Sequence, residues 1–204
     1  MKKELIQINT DALIKAYKES SNDCKNILES LFGEEIFKSK DITERIKTFE
    51  DACNELGIEH PFVRSYNLWM NYGAYNQPDV DAYLKLRIIA AALNEGWEPR
   101  FAKKEKRYSP CFVSYTQKEI GETDEEQKSH VAFRSSSNAD ASVGIACMST
   151  IYDSSDAIAS IGSRLAFKSS ELAKYAGEQF VEIWADYVLS LIHISEPTRL
   201  LSIS

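Results

Sequence analysis

Arg134-Ser135-Ser136-Ser137-Asn138 places a guanidinium, a run of hydroxyls and an amide in one short segment. Such side chains offer hydrogen bonds at little steric cost, and an arginine adds a forked donor for carboxylate or phosphate oxygens. Downstream, Arg164 and Lys168 flank a second apolar run at an even spacing, which puts both on one face if that run is a strand. Between Arg134 and Arg164 there is no Lys or Arg, only small polar residues with scattered apolar ones. The dense basic cluster lies earlier, at Lys103, Lys104, Lys106 and Arg107, with Arg100 before it and Tyr108 after it. Together these residues imply capture of an anion. The set expected to bind a ligand is Arg100, Arg107, Tyr108, Arg134, Ser136, Asn138, Arg164 and Lys168. The competing reading is an ordinary serine-rich loop beside a solvated basic turn.

No catalytic set assembles from spacing. There is no P-loop, no dinucleotide glycine fingerprint, no GxSxG and no HExxH. His60 precedes Pro61 at a turn and His130 opens a strand-like run, neither in a metal-ligand spacing. Cys24, Cys53, Cys111 and Cys147 are widely spaced without a CxxC, so they are expected to be reduced and mostly buried. No cofactor and no metal site is expected, and an enzyme acting on a nucleotide or sugar is the weakest reading.

The chain has 204 residues, 44% hydrophobic and 27% charged, which is the balance of a globular domain with enough material for a core. Its net charge of -7 repels phosphate backbones, so nucleic acid is not an expected partner. No apolar run reaches the roughly 20 residues of a membrane span, and no secretion signal follows Met1. The expected setting is the cytoplasm.

The elements that must position these residues form an α+β fold. Helical spacing runs from Asn9 to Tyr17, then through Cys24, Ile27, Leu28, Leu31 and Phe32 to Gly33. A third helix is read from Asp41 to Leu56, with Glu44 completing a capping box and Gly57 ending it. Ile58 to Gln77 is crowded with Tyr66, Trp69, Tyr72 and Tyr75, and its periodicity does not choose between a helical turn and a strand edge. Asp79 to Asn94 is apolar nearly all round, the mark of a central helix. The period then changes. Trp97–Phe101 and Tyr108–Tyr115 read as a hairpin, Val131–Arg134, Val143–Met148 and Arg164–Lys168 as further strands, and Ser169 to Tyr187 as one closing helix. The expected organisation is an N-terminal helical region over 1–57 and an α+β core over 58–188, in which a small, mostly antiparallel sheet is covered by the C-terminal helix.

Residues Leu189 to Arg199, Leu-Ser-Leu-Ile-His-Ile-Ser-Glu-Pro-Thr-Arg, resemble the in-frame translation of a transposase sequencing adapter. Ile203-Ser204 falls at the spacing of that design's next fixed segment. Residues 189–204 are therefore read as an adapter-derived artefact and set aside, and the natural chain is expected to depart from this one near Val188.

The segments Asp41–Cys53, Tyr83–Ile89, Gly162–Lys168 and Glu171–Gly177 resemble a protein family of gut Bacteroidota and their phages and prophages to which no activity is assigned. The resemblance covers about Asp41 to Val188 and implies a phage or mobile-element accessory protein in a bacterial host, from a gut metagenome. With the residue types above, it leads to a non-catalytic protein that binds a small anionic ligand, with a host nucleotide-type immune signal as the leading case. A homo-oligomer is expected, joined around Trp69 and Tyr72. The alternative is a virion or surface-recognition protein that displays residues 135–163 as a variable binding surface.

Overall fold

The computed structural model describes residues 8–72, 77–100, 102, 104–122, 128–134, 143–153 and 163–189. The chain divides into two compact units at Arg45/Ile46, one helix before the boundary read at Gly57. No described helix is long and apolar enough to cross a membrane.

The first unit carries α1 (Thr10–Glu19), α2 (Asn22–Phe32), a 3-10 turn at Glu34–Ile36 and α3 (Ile42–Arg45). Asn9 starts α1, its side-chain oxygen accepting from the N–H groups of Asp11 at 3.0 Å and Ala12 at 3.2 Å. Gly33 ends α2 at φ 84°, a conformation that costs glycine least. Tyr17 stacks on Phe37 at 4.2 Å between centroids and gives its hydroxyl proton to Glu29. Neither α1 nor α2 buries a residue, and Leu31 is 69% exposed.

The single helix expected from Asp41 to Leu56 is broken. α4 (Phe49–Leu56) starts afresh at Thr48, where a capping box forms with Asp51. The freed carbonyls of Ile46 and Lys47 take hydrogen bonds from Tyr175 Oη at 2.6 Å and Gln179 Nε2 at 2.8 Å. A tertiary anchor has replaced one turn of helix. The Asp51 carboxylate lies below its ordinary range because the backbone N–H groups of Lys47 and Thr48 donate to it. A depressed carboxylate stabilises the fold above its unfolded pKa, about 3.9, and the benefit is lost as pH falls through the lower folded value. Asp51→Ala is therefore expected to lower the urea midpoint at pH 7 and to match the parent near pH 2, where the parent's carboxyl is protonated too. An equal difference at both pH values would refute the assignment.

α5 (Pro61–Asn71) makes the ambiguous stretch helical over Tyr66 and Trp69, with Pro61 at its first position, Tyr72 at its C-cap and Tyr75 outside the described residues. It packs on α6 (Pro78–Leu93), as does α4. Leu86, Ile88, Ile89 and Leu93 of α6 are fully buried, so this helix is central as its composition implied.

The sheet is three-stranded and antiparallel, in the order β1 (Arg107–Thr116), β3 (Val143–Asp153), β2 (Ala132–Arg134). α7 (Gln117–Glu122) leaves β1. Cys111 faces Ser149 while Phe112 faces Cys147, so Met148 is an extra residue on β3. Two expectations change. Residues 97–100 form no strand, and β1 pairs with β3 instead of a hairpin partner. Arg164–Lys168 is a 3-10 turn at Ser163–Leu165 followed by one bridge from Phe167 to Tyr108, so the shared strand face for Arg164 and Lys168 does not exist.

The closing helix is also two, α8 (Ser170–Gln179) and α9 (Val181–Val188), broken at Phe180 with φ -114° and ψ 29°. α8 lies on β1 and β3, and α9 packs on α6 and β2. Gly177 lets α8 come this close: a Cβ there would lie 2.5 Å from Cys147 Sγ and 2.8 Å from Pro110 Cβ. Glycine to alanine inside a helix ordinarily gains about 1 kcal/mol, but overpacking costs about 1–3 kcal/mol. Gly177→Ala is expected to lower the urea midpoint, whereas Gly121→Ala in α7, with nothing within 4 Å of its Cβ, is not. A stabilised Gly177→Ala would show that α8 is not seated this tightly.

Candidate functional site

A cleft of about 500 Å³ is built on one stripe of α6. Arg87, Ala90, Ala91 and Asn94 recur at helical spacing along it. The two alanines leave the space that longer side chains would fill. The other walls come from the start of α5 (His60, Pro61, Phe62), from the turn carrying Trp97, Glu98 and Pro99, and from Arg164 and Ala166.

Each wall has a local cause. His60 caps α5, its Nδ1 accepting from the Phe62 N–H at 3.3 Å. With Nδ1 as acceptor, the neutral ring carries its proton on Nε2. Gly96 adopts φ 81° after α6 ends, and the Trp97 N–H returns to the Asn94 carbonyl at 2.9 Å. The Ala166 wall is tied to α6 by Asn94, whose Nδ2 donates to the Ala166 carbonyl at 2.8 Å and whose Oδ1 accepts from the Lys168 N–H at 2.9 Å.

Arg87 lies over the Phe62 ring, Cζ 4.1 Å from the centroid, and 5.7 Å from the Tyr83 centroid. Its Nε is buried with no acceptor. Neither Arg87 nor Arg164 forms an ion pair among the described residues. Among the described residues, Glu98 is the one acid lining the cleft. Two guanidinium groups against one carboxylate are a local excess of positive charge in a chain of net charge -7.

The expected ligand set is scattered. Arg164 lines the cleft. Lys168 Nζ is held 2.8 Å from Glu95. Arg134 is committed to α9, its Nε donating to Asp186 at 2.6 Å, its Nη1 to Glu182 at 2.7 Å and its Nη2 to the Glu182 carbonyl at 2.7 Å. Partial burial pulls the Arg134 pKa down, but those hydrogen bonds outweigh it and the net shift is upward. Arg107 is buried at the start of β1, Tyr108 pairs by backbone with Phe167, and Arg100 is exposed, its N–H bonded to Glu105. Ser136 and Asn138 lie outside the described residues, as does most of the 135–163 tract. Sequence reasoning missed His60, Phe62, Arg87 and Trp97. The usable signal is Arg87, the one charged residue in the last two turns and more of α6, after Asp79, Asp81 and Lys85.

A second cleft, of about 310 Å³, is lined by Tyr115, Ile120, His130, Val131, Ala146, Cys147 and Glu178. Burial, reinforced by Glu178, pushes the Cys147 thiol up to about 11. It stays protonated at neutral pH and is no nucleophile, despite the nearby imidazole. All four cysteines are free; Cys24 is exposed and the others are half-buried, which corrects the expectation of mostly buried thiols. Among the described residues no cluster of His, Cys, Asp and Glu could hold a metal ion.

Comparison with family models, with curated proteins and with solved structures gave no match to any of them.

Proposed function

We propose that this protein binds a small anionic ligand in the α5–α6 cleft without transforming it, and that it serves a phage or mobile element by sequestering a host nucleotide-type immune signal. The observation that carries the binding site is a pair of guanidinium groups, Arg87 and Arg164, that line one cleft without a carboxylate partner among the described residues. A guanidinium whose donors are not spent on a protein carboxylate is available to carboxylate or phosphate oxygens. A volume of about 500 Å³ falls within the range of pockets that hold one small molecule. The biological setting rests on the resemblance to phage and prophage proteins alone. The reading includes assembly of the chain with copies of itself around Trp69 and Tyr72; Trp69 is half-buried on α5, while Tyr72 at its C-cap is exposed, as are Leu68 and Met70.

Native mass spectrometry after expression in a host with nucleotide-signalling defences tests both points. Retention of an intact nucleotide is expected, together with its loss in Arg87→Ala. Removing one charge-assisted hydrogen bond costs about 1.5–3 kcal/mol, so affinity for a nucleotide should fall by about tenfold or more. Unchanged retention in Arg87→Ala would remove the cleft from consideration.

A further inference from the structure

Resting on that reading, we infer that the cleft selects a linear nucleotide with one base and a terminal phosphomonoester, over cyclic nucleotides with phosphodiesters only. Two observations set this class. The first is the number of aromatic faces. Phe62 lines the cleft, and the Arg87 guanidinium lies over its ring at 4.1 Å. The imidazole of His60 stands edge-on to Phe62, at 78° and 5.1 Å, and is engaged as the helix cap. Trp97 is the remaining aromatic wall. Trp97 is half-buried; one indole provides one stacking platform, and stacking on an aromatic side chain tolerates any base because every base has a π-face.

The second observation is the charge. Arg87 and Arg164 contribute two positive charges and Glu98 one negative charge. A phosphodiester brings a single charge, whereas a phosphomonoester brings about -1.5 to -2 at pH 7 and three acceptor oxygens. Three oxygens can accept from the terminal N–H groups of two forked guanidinium groups together. A diester has two free oxygens and its bridging oxygens are weak acceptors. The small Ala90 and Ala91 on the cleft floor let the phosphate approach α6.

Isothermal titration calorimetry with adenosine 5′-monophosphate, adenosine 3′,5′-cyclic monophosphate, adenosine and inorganic phosphate tests this. The probes share a base or a phosphate and differ in charge. The monophosphate is expected to bind at least about tenfold more tightly than the cyclic ester, the margin of one charge-assisted hydrogen bond. Arg87→Ala should reduce that margin to about one, and Trp97→Ala should weaken both nucleotides while leaving inorganic phosphate unchanged. Ala91→Leu, which fills the cleft without touching a charge, should block all of them, and thermal melts of each variant report whether it is folded. If the cyclic ester binds as tightly as the monophosphate and Arg87→Ala weakens both, the phosphomonoester inference is overturned and the anion-binding reading stands. If adenosine binds as tightly as the monophosphate, or if no phosphate-bearing probe binds the parent, both are overturned.

Discussion

Trp184→Ala is expected to cost about 3–5 kcal/mol, the range for truncating a large buried aromatic, out of the about 5–15 kcal/mol of a typical domain. Trp184 is 1% exposed on α9. Its ring lies 5.3 Å from Phe112 of β1 and 6.1 Å from Tyr187, so it fills the space between the sheet and the closing helix. Its Nε1–H also donates to the Ala176 carbonyl at 3.1 Å. That carbonyl sits near the end of α8 and also accepts from the Phe180 N–H at 3.3 Å. Trp184→Phe separates the contributions. It retains most of the apolar volume and loses the donor, so about 1–2 kcal/mol is expected from it. Urea denaturation read by circular dichroism gives both values. Equal losses for Phe and Ala would mean that the indole hydrogen bond, not the packing, joins α8 to α9.

The same residue shows why one closing helix was read where two exist. Leu172, Ala176, Phe180 and Trp184 all face inward, and their spacing is that of an unbroken helix. Periodicity reports which side chains are buried and is blind to a kink that keeps them buried. The break at Ile46–Thr48 is held by partners far away in sequence, Tyr175 and Gln179. The central helix α6 was legible because it is apolar around most of its circumference, which demands burial whatever surrounds it. The α+β class was legible for the same kind of reason, from the change of period after Gly96.

The cleft was less legible than the fold. Arginines in polar segments attract attention as ligand groups, yet Arg134 and Lys168 found carboxylates once the chain folded. Arg87 looked like part of an apolar face because its aliphatic stem lies on one, with the guanidinium over Phe62. Whether a charge is spent or available depends on residues that come near it only in three dimensions. Arg134 and Glu182 stand 48 positions apart, and no local pattern connects them.

Asn94 joins stability to the cleft, and its replacement is the second large effect. It is 5% exposed at the end of α6, and its amide holds Ala166 through Nδ2 and Lys168 through Oδ1. Asn94→Leu is nearly isosteric but removes both bonds and leaves a carbonyl and an N–H without partners. At about 1–3 kcal/mol for each of the two stranded groups, a loss of about 2–6 kcal/mol is expected. Asn94→Asp should cost nearly as much: its Oδ1 can still accept from Lys168, but a carboxylate oxygen would face the Ala166 carbonyl, a charge with no donor. Arg164 rides on the segment that Asn94 anchors, so both variants are also expected to weaken adenosine 5′-monophosphate binding in conditions where the protein remains folded. Arg164→Ala, by contrast, should weaken binding while leaving the urea midpoint within about 0.5 kcal/mol, as for a surface position. If Asn94→Asp were as stable as the parent, the amide would not be the tie between α6 and the 163–168 segment, and the position of Arg164 would have to depend on the backbone bridge between Phe167 and Tyr108.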